Sequence, residues 1–343
     1  MLLISADSHV VEPSDLWEKN LPSSLRAVAP RYPSHPFQAH EGGNDPAKRA
    51  KEMAIDGVSG EILYPSLTMD QFGIKDSTLQ EACFRVYNDW LINYCSYSPN
   101  RLFGVAVIST YNIDNAIREV ERCKKAGMRG VMLWQTPPDN LSFATEHYDP
   151  LWAVLQDLGL PVSFHILTGA PYVHGAGLTS DQRKDAAVHL TWTVNLKISY
   201  AANSLTHLMG SGALERFPRL KVVLVENEVS WLPYFISQWD KYAKRNKYDR
   251  RMKLLPSEYC QRQIFSTFFN DPPSQWLFSH WGSDTCMWSN DFPHINSTWP
   301  ESRKVIEKNM GTLSHDVLEK LLHKNVHNLY NLPIIEPLDT GMN

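Results

Sequence analysis

The rhythm of short apolar runs constrains this chain's fold more than any other feature. Eight such runs recur: residues 2–6 (LLISA), 60–64 (GEILY), 102–108 (LFGVAVI), 130–134 (GVMLW), 161–166 (PVSFHI), 220–225 (LKVVLV), 263–268 (QIFSTF) and 285–288 (TCMW). Most are continuous rather than alternating, which suits strands buried on both faces of a parallel sheet. Helical periodicity fills most of the gaps, at 78–97, 112–126, 149–158, 198–209, 231–245 and 313–330. Gly127 and Gly159 stand just past two of these segments, where helices commonly stop. Strands alternating with helices through short connections imply βαβ units. Eight of them predict an α/β fold of the (β/α)8 TIM-barrel type. An open doubly wound sheet is the competing arrangement. No GxGxxG follows the first strand, so the nucleotide-binding form of that sheet lacks its main signature.

A chain of 343 residues is longer than such a barrel needs. The surplus falls at 21–43, which is rich in Pro and His, at 168–192 and at 241–259. No repeat, low-complexity linker or charge block divides the sequence, so it reads as one domain, 1–343, with loop insertions. The first two insertions are expected to cover the barrel mouth or a subunit contact, which implies a homodimer or higher homo-oligomer. Hydrophobic residues make up 43% of the chain, enough for a large core. A net charge of −4 argues against nucleic acid as a partner, since phosphate binding needs a basic face. No long apolar run suggests a membrane span, and the start MLLISADSHV is too polar for a signal peptide. The five cysteines (Cys83, Cys95, Cys123, Cys260 and Cys286) form no CxxC pair, which fits a reducing cytoplasm better than a disulfide framework. Thirteen histidines and eleven tryptophans point instead to an aromatic-lined pocket holding imidazoles and a small-molecule substrate.

Barrel enzymes carry their chemistry at the C-terminal ends of the strands. The first strand leads into Asp7-Ser8-His9, the fifth ends at His165, the sixth runs into Glu226-Asn227-Glu228, and the eighth into Asn290-Asp291-Phe292-Pro293-His294. The period of two puts Asp7 and His9 on one face of their strand, with His165 and Asp291 approaching from the other side. Two imidazoles and two carboxylates suit one divalent ion: Zn²⁺, Mn²⁺ or Fe²⁺. Taken singly, a histidine after a strand is often a satisfied core residue, and an aspartate there is often a helix cap. Polar groups after four strands at once favour a site. Glu12 is either an acceptor behind a ligand or a cap for the turn at 14–17. His174, in the Gly-rich stretch 169–177, is a candidate to reach over the site. Trp134, Trp288 and Phe268, with Phe164, stand at strand ends as a candidate aromatic substrate wall.

The segments ADSHVVEPSDLW, GMRGVMLW, YDPLWAVLQDLGLPVSFH, LERFPRLKVVLVENEVSWLP, WSNDFPHINSTWP and KNVHNLYNL together resemble the amidohydrolase superfamily. The resemblance runs strand by strand along essentially the whole chain. It is nearest to the amidohydrolase-2 branch, which includes aminocarboxymuconate-semialdehyde decarboxylase and the resorcylate decarboxylases. It implies that Asp7-x-His9 is the carboxylate version of that branch's first-strand motif, that His165 is the strand-5 ligand, and that Asp291 is both ligand and acid/base group. The sixth strand departs from the pattern. Those decarboxylases carry a histidine there, near His-x-Gly-Glu-Gly-Leu-Pro, whereas this chain has Glu226-Asn227-Glu228. Glu226 or His294 is therefore the candidate for the proton-handling role.

Two chemistries share this scaffold. In one, Asp291 protonates the carbon that loses CO₂ from a small aromatic or unsaturated cyclic acid. In the other, Asp291 takes a proton from metal-bound water, and an amide, ester or lactone is hydrolysed. Decarboxylation is the favoured expectation, and a non-catalytic binding barrel is the third reading.

Overall fold

The structure is a computed structural model that describes residues 1–32, 40–169, 181, 184–246, 251–278 and 280–338. Eight parallel strands follow one another in chain order around the sheet. They are β1 (Ile4–His9), β2 (Gly60–Tyr64), β3 (Leu102–Val107), β4 (Gly130–Trp134), β5 (Val162–His165), β6 (Val222–Val225), β7 (Ile264–Phe268) and β8 (Cys286–Trp288). The main helices between them are α1 (Pro46–Asp56), α2 (Ser77–Cys95), α3 (Ile113–Lys125), α4 (Asp149–Leu158), α5 (Leu196–Gly210), α6 (Leu232–Asn246) and α7 (Pro256–Gln263), and α8 (Ser302–Met310) follows β8. This is a (β/α)8 barrel.

Local signals set several helix ends. The Asp45 side chain accepts from the backbone N–H groups of Ala47 and Lys48 at the start of α1, and Asp76 and Asn112 do the same for α2 and α3. Gly159 takes a left-handed φ of 61° at the end of α4, where a side chain would be strained. The helical run expected at 313–330 is interrupted by one wider turn at Lys320–Lys324. The surplus at 241–259 holds the end of α6 and the start of α7, and residues 247–250 lie outside the described residues. The described part of 21–43 packs Leu21 and Ala29 with Leu16, Trp17, Leu67 and Cys83, against the turn after β2 and the helix α2.

The first strand differs from its expected bounds of 2–6: it continues through Asp7 and Ser8 to His9. All six of its residues are buried, so its polar side chains must find partners inside the protein. The pairing with β2 slips between Ser5 and Ser8, as at a bulge. That slip brings the hydroxyls of Ser5 and Ser8 within 2.9 Å of each other, and both reach the Asn290 side-chain oxygen, at 3.0 and 2.9 Å. Backbone bonds complete the circle: Asp291 N–H donates to Asp7 at 3.1 Å and His9 N–H to Phe292 at 2.7 Å. The seam of the barrel is thus made by the residues singled out for chemistry.

A buried ion pair braces this seam. Arg49 of α1 donates from Nε to Glu61 at 2.7 Å and from Nη1 to the His9 carbonyl at 2.7 Å, and its guanidinium lies 4.6 Å from the centre of the Phe292 ring. Replacing Arg49 by Met leaves the Glu61 carboxylate buried without its partner. Arg49→Met is expected to lower the unfolding free energy by about 3–5 kcal/mol in denaturant titrations. The double change Arg49→Met, Glu61→Gln should recover part of that loss.

Candidate active site

Six potential ligand groups converge at the C-terminal ends of the strands. Asp7, His9, His165 and Glu226 offer ligand atoms that all lie within 4.8 Å of one another, and so do His9, Glu226, Asp291 and His294. The two sets share His9 and Glu226. Asp7 and Asp291, expected in one ligand set, belong to different ones of these two groups, and Glu226 belongs to both.

Backbone hydrogen bonds aim the two central imidazoles. His9 places Nδ1 2.6 Å from the Pro65 carbonyl, and His165 places Nδ1 3.0 Å from the Ile166 carbonyl. A carbonyl only accepts, so each Nδ1 carries a proton, and in the neutral ring that a metal ion requires each Nε2 presents a lone pair. The two Nε2 atoms face each other at 3.2 Å. Asp7 Oδ1 stands 3.4 Å from one and 3.7 Å from the other, and Glu226 approaches His165 Nε2 at 3.7 Å. Asp291 Oδ1 lies 3.5 Å from His9 Nε2. Both oxygens of Asp7 are buried without a hydrogen-bond donor. Lone pairs and carboxylate oxygens turned toward one another repel unless a cation lies among them. This donor set, all oxygen and imidazole nitrogen, fits a divalent metal ion.

The backbone bends to deliver two of these groups. Glu226 has φ 60° and Asp291 φ 55°, a conformation that costs a non-glycine residue energy and is concentrated at functional sites. The Glu226 N–H is held by Thr267 Oγ1 at 2.9 Å. Asp291 is held by its bond to Asp7 and by Asn290, whose side-chain oxygen also accepts from the Phe292 N–H at 3.2 Å.

Protonation follows from burial set against neighbouring charge. Burial raises the Asp7 pKa, but His165 and His9 outweigh it and hold the carboxyl well below the usual carboxylate range. His165 is the counterpart: burial lowers its pKa, and the charge of Asp7 lifts it above normal. Burial pushes His9 down, and a second positive charge on the adjacent His294 would add to that. Asp291 is pushed up to about 7 by burial, with Asp7 adding to the rise and His9 opposing it. Burial takes His294 down to about 4, so its ring is neutral near pH 7. That ring stacks on His9 with centroids 3.9 Å apart, and its Nδ1 lies 2.9 Å from Asp291 Oδ1.

The remaining candidates are placed elsewhere. Glu12 does not cap the turn at 14–17. Its carboxylate accepts from the N–H groups of Ser66, Leu67 and Thr68 at 3.2, 2.9 and 3.0 Å, and from the Thr68 hydroxyl at 2.6 Å. It thereby fixes the turn whose Pro65 carbonyl orients His9. Trp134 is buried over the ends of β2–β4, donating Nε1–H to Tyr148 at 2.9 Å and packing edge-on to Tyr111. Phe268 and Trp288 line a small gap against Val305, Ile306 and Met310, in the layer between the barrel and α8. They pack there because adjacent positions of β7 and β8 share a side of the sheet. Phe164 stacks on Phe143 in the core. His174 lies outside the described residues. Arg49, Glu61 and Asn290 were not legible as site residues: Arg49 sits in the run AKRAKE, which reads as a solvated helix face.

A (β/α)8 barrel with imidazoles and carboxylates gathered at its C-terminal mouth defines a class of metal-dependent enzymes. The sequence profile described as amidohydrolase matches residues 33–332, and the chain belongs to that family as a metal-dependent member of its superfamily. Gamma-resorcylate decarboxylase of Polaromonas sp. (strain JS666) is 26% identical over 310 residues, covering 83% of this chain and 87% of that protein. Among solved structures, an amidohydrolase from Mycobacterium avium subsp. paratuberculosis K-10 superimposes with a TM-score of 0.78 at 17% identity, covering 96% of this chain and 99% of the other. Dihydroxybenzoic acid decarboxylase from Polaromonas sp. JS666, with bound manganese and the inhibitor 2-nitroresorcinol, gives a TM-score of 0.73 at 23% identity, covering 96% and 97%. No helix among the described residues is long and apolar enough to cross a membrane.

Glu12 offers a test of how the site is held. Glu12→Gln turns an amide N–H₂ toward backbone donors and loosens the turn behind His9. Metal affinity, measured by competition with a chromogenic chelator, is expected to fall about 10–100-fold. His9→Ala and His165→Ala should each leave the purified protein nearly metal-free.

Proposed function

We propose that this protein is a decarboxylase of a small aromatic acid and that Asp291 delivers the proton to the ring carbon that loses CO₂. The observation that carries this reading is the position of Asp291. One buried carboxyl stands 3.5 Å from the ligand atom of His9 and 2.9 Å from His294, and burial brings its pKa to about 7. A cation beside it lowers that value, and an anionic substrate together with the exclusion of water raises it again, so the carboxyl can hold a proton near neutral pH and give it up. The decarboxylase relative of similar length and the strand-1 carboxylate Asp7 support the same reading.

Asp7, His9, His165 and Glu226 would hold the metal, zinc or manganese, with Asp291 at its edge; when bound it supplies a Lewis acid that stabilises negative charge developing on substrate oxygens. The protein's own groups do the rest. His165 and His9 present lone pairs because carbonyls fix their Nδ1–H groups. Asp291 transfers its proton to the ring carbon. The bond to the carboxylate then breaks, its electron pair returns to the ring, and CO₂ leaves. His294, neutral and close to Asp291, passes a proton from solvent to restore the carboxyl. Burial of the whole group excludes water, which strengthens each of these electrostatic effects.

A hydrolase reading draws on Glu226, a carboxylate in place of the strand-6 histidine of the resorcylate-type decarboxylases. The two separate in one assay of the metal-loaded enzyme on hydroxybenzoates and on aryl amides, esters and lactones in ¹⁸O-water. Release of CO₂ without ¹⁸O in the organic product is the expected result; ¹⁸O in the product without CO₂ would overturn it. Asp291→Asn keeps size and one ligating oxygen. It is expected to retain metal and substrate binding while turnover falls at least ~10²-fold.

A further inference from the structure

The helix α5 reaches above the site that it flanks. It leads down into β6, so its N-terminal end stands on the side of the barrel mouth. Its Ser204 hydroxyl donates to the carbonyl of Gln135, the residue just past β4. The Gln135 side chain in turn donates to Asn227 at 2.9 Å, between Glu226 and Glu228. Ser204 therefore marks the level of the mouth. Lys197 precedes it by seven residues, two turns, which places it on the same helix face about 10 Å further up the axis. That face is buried at Ala201, Ser204 and Leu208, and Lys197 itself is half-buried. Lys197 thus continues the barrel-facing stripe of α5 out over the site.

What lies below it is rich in acids. Burial raises the pKa values of Asp291, Glu226 and Glu228, the last to about 7, and the charge of Lys197 opposes the rise in all three. An anionic substrate entering such a mouth meets repulsion from every ionised carboxylate. A metal held among the acids is partly neutralised by them. A further cation facing the entrance solves this problem, and Lys197 is in place to provide one.

We infer that Lys197 is the group that receives the carboxylate of an anionic aromatic substrate, and so selects acids over their neutral analogues. This deepens the decarboxylase reading and rests on it for the substrate class. The carboxylate loses its charge as CO₂ forms, so a cation that receives it favours bound substrate over the transition state, and its removal raises KM without lowering kcat. Loss of that charge is expected to weaken acid binding about tenfold, less at high salt.

The test compares wild type, Lys197→Met and Lys197→Arg as metal-loaded proteins by isothermal titration. The probes are 2,6-dihydroxybenzoate and its neutral isostere 2,6-dihydroxybenzamide. Wild type and Lys197→Arg are expected to prefer the acid by about tenfold, and Lys197→Met to lose the preference with its melting temperature unchanged. A Lys197→Met protein that keeps the preference, or a wild type that has none, overturns the inference. CO₂ release measured in parallel separates the two claims. A Lys197-dependent acid preference without any CO₂ release defeats the decarboxylase reading and upholds the role of Lys197. Release of CO₂ with the same KM in wild type and Lys197→Met does the reverse.

Discussion

The seam between the first and eighth strands is the constraint on which the rest of this molecule depends. A barrel of eight parallel strands must join its last strand to its first, and β8 is only three residues long. The join is made beyond β8, by Asp291 N–H on Asp7 and His9 N–H on Phe292. Closing the barrel and assembling the site are therefore one event. Asn290 reinforces the join from one side through Ser5, Ser8 and Asp56. Arg49 reinforces it from the other, through the His9 carbonyl and the Phe292 ring.

This arrangement explains why so much polarity is tolerated in the interior. Asp7, His9, Glu12, Arg49, Glu61, His165 and Asp291 are all essentially inaccessible to solvent. Each unpaired member would cost several kcal/mol. Glu12 and Glu61 are satisfied by backbone donors and by Arg49 respectively. Asp7 is not satisfied by any donor, and His9 and His165 direct lone pairs at each other. Among these seven residues the carboxylate oxygens left without a donor belong to Asp7 and Asp291, while both oxygens of Glu12 and of Glu61 are paired beside them. That division suits a preorganised ion site, which needs paired carboxylates around it and unpaired carboxylate oxygens at its centre.

The same logic separates the aromatic residues. A tryptophan or phenylalanine at the end of a barrel strand has two possible destinations, the mouth or the layer beneath the helices. Phe268 and Trp288 pack toward α8, and Trp134 binds Tyr148 over the ends of the neighbouring strands. Among the described residues, none of the three side chains makes a hydrogen bond or ring contact with the Asp7–His9–His165 group. The rings that do meet it are Tyr64, 5.5 Å from His165, and His294, stacked on His9.

The sequence by itself determined the order and kind of elements, because burial on both faces makes each strand a continuous apolar run and helices carry their own period and caps. It also marked Asp7, His9, His165, Glu226, Asp291 and His294, because polar side chains after buried strands violate the pattern around them. Only the tertiary structure decided how these groups combine. The slip in pairing at Ser5–Ser8 and the left-handed turns at Glu226 and Asp291 are backbone events that residue type does not announce. They bring Glu226 among the ligand candidates and set Asp291 beside His294. Which face a strand-end residue presents, and whether a charged helix residue such as Arg49 points to water or to the core, depends on contacts between segments far apart in the chain. Those contacts exist only once the barrel has closed.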